Sequence, residues 1–264
     1  MNRPPLINLM ERAARKAGRA LARDFGEVEH LQVSKKGPAD FVSAADLRSE
    51  KILREELAKA RPNHGFLMEE SGATPSKDGG RWIVDPLDGT LNFLHGLPHF
   101  AISIAQEVDG ELRAGVVYNP LTDDLYWAQR GEGAFINDRR LRVSARAQFA
   151  ECLFATGIPL LGHGEHDRFH KELRAVIAQS AGVRRFGAAA LDLAFVAAGR
   201  YDGFWEGGLQ AWDIAAGIVI LREAGGLITD FDGGPNSLIS GDIVAGPPSI
   251  HGQLRSTLEK ARLG

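Results

Sequence analysis

Trp82-Ile83-Val84-Asp85-Pro86-Leu87-Asp88-Gly89-Thr90-Leu91-Asn92-Phe93 is the stretch on which the reading of this chain turns. Three apolar residues suited to a buried strand run into two carboxylates, a Gly-Thr pair and a short segment of helical character. The apolar run predicts a strand that delivers Asp85 to the rim of a sheet. Pro86 has a fixed φ and no N–H, so the chain is expected to turn there instead of continuing the ladder. Asp88 returns three residues later, near enough to share a cation with Asp85. Gly89 lets the backbone approach a ligand, and Thr90 offers a hydroxyl and an N–H near a helix start. Two carboxylates so close repel, so either one protonates or a cation sits between them. Hard oxygen ligands favour Mg²⁺ or Mn²⁺, and the N–H groups suit an anion such as phosphate. The competing, less favoured reading of the stretch alone is a plain turn in which Asp85 and Asp88 cap a helix.

The 264 residues suffice for one compact domain over 1–264, with two tightly joined halves of about 1–145 and 146–264. Composition is that of a globular protein, 44% hydrophobic and 25% charged. A formal charge of −3 argues against binding nucleic acid through bulk electrostatics. Cys152 is the single cysteine, which excludes an intrachain disulfide and fits a reducing compartment. No apolar run is long enough to span a bilayer, and the N-terminus carries no apolar leader. A soluble cytoplasmic protein is expected.

Upstream, apolar residues from Leu6 to Leu21 recur at helical spacing with arginines between them, predicting an amphipathic helix that ends before Gly26. Leu31 to Val33 suits a strand, and Lys35 to Ser43 reads as a loop with a short extended piece. There Lys35 and Lys36 are either solvated or cations near an anionic ligand. Ser43 is a good N-cap for a helix over 44–60, with Asp46 in its first turn; Asp40 and Asp46 are outer groups of a site or plain caps. Gly65 to Met68 predicts a buried strand that delivers Glu69-Glu70-Ser71. Ala73 to Gly80 reads as a polar loop.

Downstream, Phe100–Val108 and Leu112–Tyr118 flank Asp109-Gly110, a hairpin signal that opens an antiparallel meander through Val143. Leu153–Thr156 predicts a strand, 157–164 a loop and 165–181 a helix. His163, His166 and His170 can bring two imidazoles to one helix face. No Cys or further His lies nearby to complete a zinc site, so a solvated helix start is the simpler reading. Further elements are a strand at 183–186, a helix over 188–198, a strand ending at Glu206, an apolar helix from Trp212-Asp213 to Glu223 stopped by Gly225-Gly226, strands at 227–229 and 243–245, and a C-terminal helix.

Glu69, Asp85, Asp88 and Asp213 all lie at the end of an apolar strand or in the first turn of an apolar helix. Side chains at such ends converge on one rim of an α/β sheet. One acid in a first turn is explained by the helix dipole. Four point to a site for several cations.

The segment from Trp82 to Thr90 resembles the signature of the inositol monophosphatase family of lithium-sensitive, Mg²⁺-dependent phosphatases. Glu69-Glu70-Ser71 resembles the family's upstream acidic element. Glu206, Trp212-Asp213 and Glu223-Ala224-Gly225-Gly226 resemble its C-terminal signature. Lys36 to Asp40, Gly131 to Ala134 and Gly187 to Asp192 resemble further blocks, in the same order. The resemblance implies a layered αβαβα sandwich of α/β class, shared with fructose-1,6-bisphosphatase, and a homodimer. It implies two to three Mg²⁺, or Mn²⁺, per site. Glu69, Asp85 and the Leu87 carbonyl would hold the first cation; Asp85, Asp88 and Asp213 the second; Glu69 would help a weaker third. Thr90 with Glu69 would orient the attacking water, which places Glu69, Thr90 and Asp88 in the catalytic set. The Gly89 and Thr90 N–H groups would bind phosphate, while Ala189, Glu206 and Asp213 would meet a polyol substrate. Met68 stands where members usually have Gly, and Ala188 where many have Ser or Thr.

The implied reaction is in-line hydrolysis of myo-inositol 1-phosphate or a similar polyol phosphate by water that a cation has made acidic. Relatives with related motifs act on fructose 1,6-bisphosphate, histidinol phosphate, 3′-phosphoadenosine 5′-phosphate or NADP. The Leu91-Asn92-Phe93 continuation resembles the inositol type more. A scaffold for protein or RNA with a residual site is a third expectation, and intact acids make it a poor main role.

Overall fold

The computed structural model describes residues 3–27, 33–37, 40–159 and 165–263; in 33–37 and 40–42 only the backbone enters. Helix α1 (Pro5–Phe25) begins with Pro at N1, where the missing N–H is not needed. It buries Ile7, Met10, Ala14, Ala17 and Leu21 along one stripe. Strands β1 (Val33–Gly37) and β2 (Asp40–Ser43) pair antiparallel, so the stretch expected as a loop is a hairpin. Helix α2 (Ala44–Ala60) has the expected bounds. Its start is a reciprocal cap. Ser43 Oγ accepts the Asp46 N–H, and Asp46 Oδ2 accepts the Ser43 N–H at 2.8 Å.

An eight-stranded sheet follows, in the order β10-β9-β8-β7-β6-β5-β3-β4. Its strands are β3 (Gly65–Met68), β4 (Gly72–Thr74), β5 (Gly80–Asp88), β6 (Ala101–Val108), β7 (Glu111–Asn119), β8 (Asp124–Gln129), β9 (Gly133–Ile136) and β10 (Arg139–Arg140). The expected meander is β6 to β10. Asp109 and Gly110, both at positive φ, make the two-residue turn between β6 and β7. The polar loop expected from Ala73 opens with β4, which covers the sheet edge beside β3.

Pro86 does not turn the chain. Strand β5 continues to Asp88, with Asp85 opposite Ser103 and Asp88 opposite Ala101. Pro86 and Leu87 therefore oppose Ile102 alone. That bulge is where a residue without an N–H can sit in an interior strand.

The five-stranded sheet has the order β12-β11-β13-β15-β14. Its strands are β11 (Leu153–Thr156), β12 (Gly182–Arg184), β13 (Gly203–Glu206), β14 (Leu227–Thr229) and β15 (Ile243–Gly246). The helices here are α4 (His166–Ile177), α5 (Ala189–Ala197), α6 (Ala211–Glu223), α7 (Ser237–Ser240) and α8 (Pro248–Leu263); a short α3 (Thr90–Leu94) follows β5. Helix α4 stops at Ile177, short of the expected Ala181, because the Gln179 and Ser180 N–H groups both turn back to the Val176 carbonyl. Helix α7 was not foreseen. His163 and residues 31–32 lie outside the described residues.

Helices α1 and α2 cover one face of the large sheet, and α5 and α6 the other. The small sheet packs on α5 and α6, and α4 and α8 close its far side. The layers are thus αβαβα, as the resemblance implies. Of the four interlayer spaces, the two on either side of α5 and α6 share one apolar cluster, and each outer space holds its own.

Candidate active site

Strands β3 and β5 run parallel as neighbours, so they end on one rim. The Glu69 N–H donates to the Val84 carbonyl at 3.3 Å, which sets Glu69 beside Asp85. Met68 is fully buried and still paired, so its bulk enters the core and leaves the turn into Glu69 in place. The next turn is pinned from α2, where Glu50 Oε2 accepts the Glu70 N–H at 2.9 Å. In the β5 bulge, Asp85 Oδ1 accepts the Leu87 N–H at 2.9 Å, and Ser49 Oγ donates to the Pro86 carbonyl at 2.8 Å.

Gly89 caps α3 with φ 91. A Cβ there would stand 3.0 Å from the His99 carbonyl and 3.3 Å from the Ala188 Cβ, so both torsion and space require glycine. Ala188, the position where many family members carry a hydroxyl, is therefore packed against this turn. The Thr90 hydroxyl lies 3.0 Å from Asp46 Oδ1 and 3.0 Å from the Leu87 carbonyl. Asp46 thus both caps α2 and holds Thr90.

The second half of the chain supplies the other wall. Asp88 Oδ2 accepts the Ala190 N–H at 2.9 Å, fastening the first turn of α5. Asp213 sits at N3 of α6, where its Oδ2 accepts the Gln210 N–H at 2.7 Å. Ser103 Oγ donates to the Trp212 carbonyl at 3.1 Å and ties that helix start to β6. Glu206 ends β13. A Cβ on Gly157 would fall 1.8 Å from Glu206 Oε1, so only glycine leaves room for this carboxylate.

Burial lifts Asp85 well above the ordinary carboxylate range, and the charges of Glu69, Asp88 and Asp213 push it further. Burial also pushes Asp88 up to about 7, against the N–H of Ala190 and with the charge of Glu69. Asp213 rises well above its usual value through burial, opposed by the Gln210 N–H and aided by Asp88, Glu69 and Glu206. Glu206 is pushed up to about 8 by burial. The four acids singled out from sequence therefore do share one field.

Among the described residues, no three acid, imidazole or thiol groups already converge on one cation position. Nor does any Lys, Arg or His among them form an ion pair with Asp85, Asp88 or Asp213. Buried acids that repel one another without a counter-charge, in an all-oxygen set, fit a hard divalent cation. The side chains of Lys35, Lys36 and Asp40 lie outside the described residues.

Sequence reasoning missed several members of the site. Ser49 and Glu50 carry its backbone. Asn92 Nδ2 bridges the His99 and Phe186 carbonyls at 2.8 and 2.7 Å. Asp192, 1% exposed, has an Oδ1 without a hydrogen bond among the described residues, and burial with the charges of Glu206 and Asp88 raises it well above its usual value. One signal was available. Asp46, Ser49 and Glu50 follow i, i+3, i+4 spacing, a polar stripe on the buried face of α2.

The sequence model of the inositol monophosphatase family matches residues 2–263. The chain belongs to the inositol monophosphatase family. An "Inositol-1-monophosphatase" of Mesorhizobium japonicum is 58% identical over 261 residues, 98% of each chain. A "Nus factor SuhB" of Pasteurella multocida is 47% identical over 247 residues, 93% of this chain and 92% of that one. The crystal structure of extragenic suppressor protein suhB from Bartonella henselae superposes with a TM-score of 0.94 at 57% identity, covering 97% of this chain and 99% of that one.

Proposed function

We propose that this chain is a Mg²⁺-dependent phosphatase that hydrolyses myo-inositol 1-phosphate or a similar polyol monophosphate. The observation that carries the reading is the buried field that Asp85, Asp88 and Asp213 share with Glu69, brought together from three elements. The 58% identical relative named for inositol 1-phosphate supports the substrate.

Glu69, Asp85, Asp88, Asp213 and the Leu87 carbonyl would hold Mg²⁺, which when bound neutralises phosphate charge and makes water acidic enough to attack near neutral pH. The chain's own groups do the positioning. Thr90, held by Asp46 and Leu87, and Glu69 orient the attacking water. The Gly89 and Thr90 N–H groups at the start of α3 take phosphate oxygens. Glu206 and Ala189 meet the polyol hydroxyls. Exposed Leu97 and Phe186 flank His99 beside this rim and suit a homodimer contact.

The deciding experiment is Mg²⁺-dependent phosphate release from inositol 1-phosphate, fructose 1,6-bisphosphate, histidinol phosphate, 3′-phosphoadenosine 5′-phosphate and NADP, with and without lithium. Lithium-sensitive preference for inositol 1-phosphate is expected. Preference for another ester reassigns the substrate, and no release from any of them overturns the reading. The SuhB relatives favour a second role with a protein or RNA partner. Capture of a partner that survives Asp213→Asn would establish that role apart from turnover.

A further inference from the structure

Helix α6 ends at a cavity that the phosphatase reading leaves unused. About 420 Å³ opens between the β6–β7 turn, the last two turns of α6 and the segment leading into α7. That volume lies within the range of small-ligand pockets. Leu112, Ile218, Pro235 and Leu238 give it apolar walls.

Two polar groups in its lining lack partners. Ser237 is 3% exposed, and its hydroxyl has no hydrogen bond among the described residues. The Arg222 guanidinium, on an exposed residue at the edge of the cavity, makes no hydrogen bond or ion pair among them either. The acids nearby are already engaged. Glu223 accepts the Gly131 and Gly133 N–H groups at 2.9 and 2.8 Å. Glu111 pairs with Arg113 at 2.9 Å and with Arg130. The buried Ser237 hydroxyl without a partner is the costly group here, and a ligand anion that Arg222 attracts would relieve that cost.

We infer that this cavity binds a small organic carboxylate, whose oxygens seat on Arg222 and Ser237 and whose apolar body lies against Leu112, Ile218 and Leu238. The planar guanidinium matches the two oxygens of a carboxylate. The apolar walls ask for more than an inorganic ion. Asp213 and Arg222 stand at opposite ends of one helix, about 14 Å apart along its axis, so this site is separate from the acidic rim.

The test is calorimetric titration of the full chain, in Mg²⁺, with benzoate, and with benzyl alcohol and benzylamine as controls. Saturable one-to-one binding of benzoate is expected, with benzyl alcohol weaker by about tenfold and benzylamine weaker still. Arg222→Gln should weaken benzoate by about tenfold or more, and Ser237→Ala by about threefold. Asp213→Asn should leave it unchanged. Leu238→Trp fills the cavity but keeps the charge, and should abolish binding while phosphate release continues; it decides the matter if Arg222→Gln fails to fold. Equal binding to wild type and the folded Arg222→Gln or Leu238→Trp variant overturns the inference. So does loss of binding in Asp213→Asn, equal binding of benzyl alcohol, or no saturation by about 20 mM.

Discussion

Helices α1 and α6 pack on opposite faces of the same eight-stranded sheet, yet their sequences obey different rules. Helix α1 is an outer layer. It turns Ile7, Met10, Ala14 and Leu21 to the sheet and leaves Arg12, Arg19 and Arg23 exposed. Helix α6 is an inner layer with a sheet on either side, and every residue from Ile214 to Leu221 is buried. No face remains for charge, so its charges fall at its ends. Asp213 opens it on the acidic rim. Arg222 and Glu223 close it, one beside the unclaimed cavity and the other clamping the β8–β9 turn. An inner helix gains core area and carries its chemistry on its termini, where backbone polarity and access coincide.

The largest effect should come from the charged rim that α6 helps build. Asp88→Asn should cut kcat by about a thousandfold, on the order of 4 kcal/mol, while circular dichroism stays unchanged. Near-normal turnover would remove Asp88 from the chemistry. The two helices themselves are separated by paired substitutions. Ile220→Ala, wholly buried on α6, should cost about 3 kcal/mol in urea unfolding. Arg12→Ala, on the polar side of α1, should cost less than about 0.5 kcal/mol. Equal costs would erase the distinction between inner and outer layers.

A smaller, two-sided effect is expected at Asp46. Asp46→Ala loses the reciprocal cap, about 1 kcal/mol. It also frees the Thr90 hydroxyl, so kcat should fall by about tenfold with KM nearly unchanged. A loss of stability alone would reduce Asp46 to a cap.

The smallest effect concerns His251, buried in outer helix α8 with its Nε2 3.2 Å from the Val244 carbonyl. Burial lowers its pKa, so the folded chain prefers the neutral ring. The unfolded chain binds the extra proton first. Stability is therefore full above the ordinary imidazole value near 6.5 and declines as pH falls through that value toward the lowered folded one. Urea midpoints at pH 7.5 and 5.5 should fall less in His251→Gln than in wild type.

Much of the fold was legible because its signals are local. The Ser43 cap with Asp46 three residues later set the bounds of α2, and Asp109-Gly110 set the turn between β6 and β7. The acids of the rim were legible because each follows an apolar strand or opens an apolar helix. The hairpin at 33–43 was not, since its pairing runs between backbone groups and leaves no clear alternation. The course through Pro86 was misread for a related reason. Proline forbids a ladder bond at one position, and only the neighbouring strand β6 decides whether the result is a turn or a bulge. Helix α7 is too short to carry a periodic signal.

The sequence by itself determined which residue types stand at the strand and helix ends of the rim. Residue type sets charge and hardness, and the runs before Asp85 and after Asp213 set the strand and helix ends. Tertiary structure alone decided what those residues feel. Asp85 stands well above its usual range because it is buried and because Glu69 and Asp213, from two other segments, join Asp88 around it. Thr90 is aimed because Asp46 reaches it across 44 residues. Among the described residues Arg222 has no ion pair, and the acids near it bond elsewhere. Burial and long-range Coulomb interaction depend on three-dimensional distance, and no spacing along the chain encodes that distance directly.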